Sequence, residues 1–75
     1  MNAMSKEMFL VEELVKDMAL LLINERGMSM MEAFDAIYNS DTYASLINFK
    51  SGLYSQSTAY VYEYLDNELR TGSMC

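Results

Sequence analysis

Apolar residues recur every three or four positions along most of the chain, which is the spacing of one face of an α-helix. The longest such stretch lies between Ser5 and Gly27. Its apolar face comprises Val11, Leu14, Val15, Met18, Leu21 and Leu22. Ser5 can accept a backbone N–H at the start of a helix, and Gly27 can adopt the left-handed conformation that ends one. The pattern therefore predicts a first helix of about 21 residues, roughly 32 Å long.

A capping box marks the start of a second, shorter helix. The hydroxyl of Ser29 can accept the backbone N–H of Glu32, whose carboxylate can reach back to the N–H of Ser29. Apolar residues then recur at helical spacing to about Asn39. They are Met31, Phe34, Ile37 and Tyr38.

The second half of the chain predicts another short helix and a longer last one. Ser40 or Asp41 can cap a helix that runs to about Phe49. Residues 50–52 form the clearest loop, with a positive φ expected at Gly52, and residues 53–54 are expected to be a brief extended segment. The last helix begins after Ser55 or Ser57 and runs to about residue 70, and its core face carries Val61 or Tyr62, Leu65 and Leu69.

The elements add up to an all-α fold, a small four-helix array in which two longer helices bracket two short ones. We expect one helical domain over residues 5–70. Residues 1–4 are expected to be a disordered terminus or an expression remnant, and residues 71–75 a frayed tail that ends in Cys75, the sole cysteine.

Three apolar residues of the first helix do not lie on its core face. Phe9, Leu20 and Ile23 fall among charged residues, and Phe9 and Leu20 point within about 20° of each other. Two interpretations are open: the short helices wrap far enough to cover these side chains, or the side chains meet a second protein, most readily a second copy of this chain in a two-fold dimer.

Tyrosines and methionines offer further interaction candidates. Tyr60 and Tyr64 lie four apart on one face of the last helix in a polar setting, which suits an interface. Met28, Met30 and Met31 are expected to fill an irregular corner of the core, with a partner groove as the alternative.

Charge and residue content exclude several classes of function. The net charge is −6, with eleven acidic residues against five scattered basic ones, so neither nucleic acid nor an anionic membrane is an expected partner. No stretch of the sequence is long and apolar enough to span a membrane, and no secretory signal is evident, so a cytoplasmic location is expected. The chain has no His, no cysteine cluster and no glycine-rich phosphate loop, which predicts no enzyme activity, no cofactor and no metal site.

Two segments together carry a resemblance: DAIYNS at positions 35–40 and GLYxQSxxYV at positions 52–61. The chain resembles small uncharacterised all-helical bacterial proteins, over roughly residues 6 to 70. Some of those proteins are encoded beside toxin-like genes, so the resemblance implies an antitoxin or an accessory subunit, with no catalytic residues. The chain lacks the basic DNA-binding segment of many antitoxins, which argues against a repressor role.

Two functional hypotheses follow, with a small-ligand binder as a third, less favoured one. The first is a non-enzymatic protein-interaction module that self-associates, with Phe9, Leu20 and Ile23 as one surface and Tyr60 and Tyr64 as a second. The alternative is an acidic, antitoxin-like neutraliser of a basic protein partner. Its acting residues would be Glu12, Glu13, Asp17, Asp66 and Glu68.

Overall fold

A computed structural model describes residues 5–72 of the chain. Its four α-helices are α1 (Lys6–Arg26), α2 (Met30–Tyr38), α3 (Asp41–Ile47) and α4 (Thr58–Thr71). Within the described range there are helices and turns but no strands, so the all-α prediction, with longer helices at the ends and shorter ones between them, is confirmed. The predictions for residues 1–4, and for residues 73–75 of the tail expected over residues 71–75, lie outside that range, whereas Thr71 is the last residue of α4 and Gly72 is its C-cap.

Each α-helix begins where a serine side chain replaces the missing partner of a backbone N–H. The four capping residues are Ser5, Ser29, Ser40 and Ser57. The predicted capping box is confirmed: Ser29 Oγ accepts from Glu32 N at 3.1 Å, and Ser29 N donates to Glu32 Oε1 at 2.8 Å. Gly27, with φ 67°, ends α1 in the left-handed conformation that only glycine adopts without strain.

The segment between α3 and α4 differs from its prediction. α3 ends at Ile47 and does not reach Phe49, and two short 3₁₀ turns follow, Phe49–Ser51 and Leu53–Ser55. The prediction that residues 53–54 are extended is therefore wrong, because they lie in the second of these turns. Gly52, with φ 74°, reverses the chain, and Ser55 N then donates to Gly52 O at 3.1 Å, which closes the second turn.

α1 lies at the centre of the array and contacts the other three helices. Its predicted core face is buried except for Leu21, which is half-buried, while Ala19 is buried instead. Ala19 is two turns from Glu12, whose carboxylate accepts a hydrogen bond from Tyr38 of α2, so Ala19 lies on the side of α1 that turns toward α2. The remaining core side chains include Ala33, Ile37, Leu46, Leu53, Val61 and Leu65. No helix in the described range is long and apolar enough to cross a membrane.

Candidate interaction surfaces

The face of α1 opposite the core remains uncovered by the rest of the described chain. Phe9 and Leu20 are each 54% exposed. We call the face that carries Phe9, Glu13, Lys16 and Leu20 the outer strip. It is exposed because the neighbouring helices pack on the core face of α1 and reach around it only as far as its flanks, which leaves Phe9 and Leu20 facing solvent.

Hydrogen bonds mark how far the neighbouring helices reach around α1. On one flank Tyr38 of α2 donates its hydroxyl to Glu12 Oε1 at 3.3 Å, and on the other Thr58 of α4 donates to Asp17 Oδ2 at 3.1 Å. The outer strip lies between these two flanks. Within it, Lys16 Nζ and Glu13 Oε2 form an ion pair at 3.4 Å.

Ile23 does not belong to this exposed surface. We predicted it to lie with Phe9 and Leu20, but it is half-buried and packs against the core. Its position is rotated about 60° from Leu20, toward the flank that carries Glu12. That rotation is enough for the core to cover Ile23 in part while Leu20 stays exposed.

The second predicted pair lies on α4, beside the loop that precedes that helix. The rings of Tyr60 and Tyr64 pack edge to face with centroids 5.4 Å apart, and their hydroxyl oxygens are 3.2 Å apart. Tyr60 is 47% exposed, whereas Tyr64 is half-buried against the core. The hydrogen bond with Tyr60 raises the pKa of Tyr64. The two rings border a cleft of about 250 Å³, together with Ser45, Ser51, Gly52, Leu53 and Gln56.

A third surface lies on α2, where a partner groove was the less favoured interpretation of the methionines. Met30 and Met31 are 65% and 81% exposed, so the expectation that they fill a corner of the core is wrong, and only Met28 packs against the core. With Phe34 and Tyr38 they line a shallow depression of about 740 Å³, which we call the α2 groove. The spacing of Met30, Phe34 and Tyr38, one turn apart, was the sequence evidence that could have pointed to it.

A row of aromatic rings runs from the α2 groove to α3. Phe34 stacks on Tyr38 with centroids 6.1 Å apart, and Tyr38 meets Tyr43 of α3 edge-on at 4.9 Å. Burial raises the pKa of the Tyr38 hydroxyl, and the neighbouring carboxylate of Glu12 raises it further. The raised pKa favours the protonated hydroxyl, which is the form that donates to Glu12.

The carboxylates proposed to meet a basic partner all have partners inside the fold. Asp66 Oδ1 lies 2.7 Å from Arg26, which with Arg70 lowers the pKa of Asp66. Glu68 accepts from the backbone of α3, at Asp41 N and Thr42 N. Glu12, Glu13 and Asp17 are bonded to Tyr38, Lys16 and Thr58. All of these acids except Glu13, whose partner lies on the same helix, link one helix to another, and this leaves less of their charge for a partner.

The part of the chain that the structure describes carries exposed apolar and aromatic side chains on α1, α2 and α4. Between positions 5 and 72 no group of three or more carboxylate or cysteine side chains is arranged to hold a metal ion. Three surfaces are candidates for an interaction: the outer strip of α1, the α2 groove and the tyrosine pair of α4. Compared with protein-family models, curated proteins and solved structures, the chain matches none.

Proposed function

We propose that the protein is a non-enzymatic protein-interaction module that self-associates. The observation that carries this proposal is the exposure of Phe9 and Leu20 on α1, at 54% each, beside a core that is already closed. Large apolar side chains left in water on one face are typical of an interface, and two-fold pairing of identical chains is the commonest way to cover them. A domain of this size also gains stability from association.

Sedimentation velocity across a wide concentration range tests self-association. We expect the wild-type chain to shift from monomer to dimer as concentration rises, and a variant with Phe9→Ser and Leu20→Ser to remain a monomer. The matched control is Ile47→Ser on α3, which also removes a half-exposed apolar side chain and is expected to dimerise like the wild type. A wild-type chain that is monomeric at every concentration would contradict the proposal.

A second candidate function uses the α2 groove. Its apolar centre of Met30, Met31 and Phe34 is bordered by Asp35, and α2 carries two acidic residues and no basic one. A basic amphipathic helix from another protein would bring apolar anchors to the centre and cations to the edge. This arrangement favours the hypothesis of an acidic module with a basic partner. The contact surface would then be the α2 groove, and not the carboxylates that already have partners inside the fold.

Binding of a synthetic helical peptide tests the groove. A fluorescent peptide of leucine and lysine at amphipathic spacing is titrated with the wild type, with Met31→Lys and with Ser55→Lys. Both variants add one positive charge, but only Met31 lies in the groove. We expect Met31→Lys to weaken binding at least about tenfold, and Ser55→Lys to weaken it far less. Equal losses in the two variants would mean that bulk charge alone attracts the peptide.

A further inference from the structure

The outer strip of α1 has residue types arranged with two-fold symmetry. Phe9, Glu13, Lys16 and Leu20 follow one another at spacings of four, three and four residues, which places them within about 60° of helical arc. The midpoint between Phe9 and Leu20 is also the midpoint between Glu13 and Lys16. A half-turn about that midpoint therefore exchanges the position of Phe9 with that of Leu20, and the position of the acidic Glu13 with that of the basic Lys16.

We propose that two copies of the chain pair through this strip with their α1 helices antiparallel and the two-fold axis between Glu13 and Lys16. In that register, Phe9 of each copy lies level with Leu20 of the other. Each Glu13 comes within reach of Lys16 of the second copy. The inference rests on the proposed self-association and adds the surface, the direction and the register.

Charge complementarity favours a second copy over an apolar partner at this strip. Glu13 and Lys16 already form one exposed ion pair in each molecule, with side chains 46% and 61% exposed. Two such pairs across the axis make a neutral cluster of four charges. Two molecules that each carry a net charge of −6 can therefore approach along this strip without adding to their repulsion there.

The spacing of the strip is also that of a packing seam between helices. Intervals of four and three residues alternate as in a coiled coil, in which side chains of one helix fit between those of the other at a crossing angle of about 20°. Continuing the pattern by one step adds Lys6 and Ile23, and Ile23 is half-buried on its own core. The contact is therefore short, with two apolar pairs around a charged centre, so we expect a weak, concentration-dependent dimer.

A charge-reversal cycle tests the register. Glu13→Lys makes the central cluster wholly positive and Lys16→Glu makes it wholly negative, so each variant alone is expected to dimerise about tenfold more weakly than the wild type. An equimolar mixture of the two variants places Lys opposite Glu again and is expected to form a heterodimer of wild-type affinity. The double variant E13K/K16E is expected to restore the homodimer.

Sedimentation velocity with one variant fluorescently labelled measures dimerisation of the two single variants, their mixture and the double variant at one ionic strength. Circular dichroism confirms that each variant is folded. Single variants that dimerise like the wild type, or a mixture that stays weak, would overturn the register. If the Phe9 and Leu20 double variant is then still monomeric, self-association stands and only the arrangement is wrong. A monomeric wild type would overturn both.

Discussion

Replacing Leu22 with alanine is expected to lower the free energy of unfolding by about 2–5 kcal/mol. Leu22 is fully buried on the core face of α1, the helix that contacts all the others. Truncation removes apolar burial and leaves a cavity that the surrounding helices fill only in part. In a domain of this size the loss corresponds to a fall in Tm of at least about 8 °C. Thermal unfolding followed by circular dichroism measures this fall.

Leu20→Ala is the matched control, because it makes the same chemical change two residues away on the same helix. Leu20 is half-exposed, so its truncation is expected to change the free energy of unfolding of the monomer by no more than about 0.5 kcal/mol. Both variants are compared at a concentration low enough to exclude association. Equal destabilisation by the two variants would show that the outer strip is packed inside the monomer.

Replacing Glu68 with alanine is expected to destabilise the fold by about 1–3 kcal/mol. The carboxylate of Glu68 on α4 accepts the backbone N–H groups of Asp41 and Thr42, at 2.6 and 2.9 Å, and the Thr42 hydroxyl at 2.8 Å. It thereby caps the N-terminus of α3 from a distant helix. The substitution leaves Thr42, which is buried, with an unsatisfied N–H and hydroxyl.

The contribution of Glu68 is expected to depend on pH. Burial raises the pKa of this carboxyl, but the hydrogen bonds from Asp41 and Thr42 outweigh burial, so the pKa is lowered from its ordinary value of 4.5. A lowered pKa in the folded state stabilises the fold fully above the ordinary value, and this stability is lost as pH falls through the lowered pKa. The advantage of the wild type over Glu68→Ala should therefore be constant near neutral pH and become smaller in acid.

Urea unfolding at a series of pH values measures that difference. The control is Glu63→Ala, which removes an exposed carboxylate from the same helix and is expected to change the free energy of unfolding by no more than about 0.5 kcal/mol. A difference between wild type and Glu68→Ala that persists unchanged in acid would show that the side chain acts by packing and not through its charge.

Local features of the chain were predictable because they depend on neighbouring residues. Ser29 and Glu32 form a capping box wherever a helix starts between them, and Gly27 supplies the conformation that ends α1 whatever packs beside it. The all-α class and the core face of α1 follow from spacing alone in the same way. These predictions required no knowledge of how the helices pack together.

The surfaces were harder to predict, because exposure depends on how neighbouring helices are rotated. The helical periodicity of α1 placed Ile23 with Phe9 and Leu20, but the core covers Ile23 in part. The sequence predicts that Met30 and Met31 fill a corner of the core, but the orientation of α2 leaves both side chains exposed. Glu68 meets Thr42 from 26 residues along the chain, and local spacing carries no information about such a contact.

The thioethers of Met30 and Met31 are open to dissolved oxidants, whereas that of Met18 is sealed inside the fold. Peroxide converts an accessible methionine to its sulfoxide, which is polar, and reductases reverse the change. Such oxidation would make the surface of the α2 groove more polar, while the core would stay intact. Phe9 and Leu20 contain no sulfur, so this oxidation would alter one of the two proposed docking surfaces and leave the other unchanged.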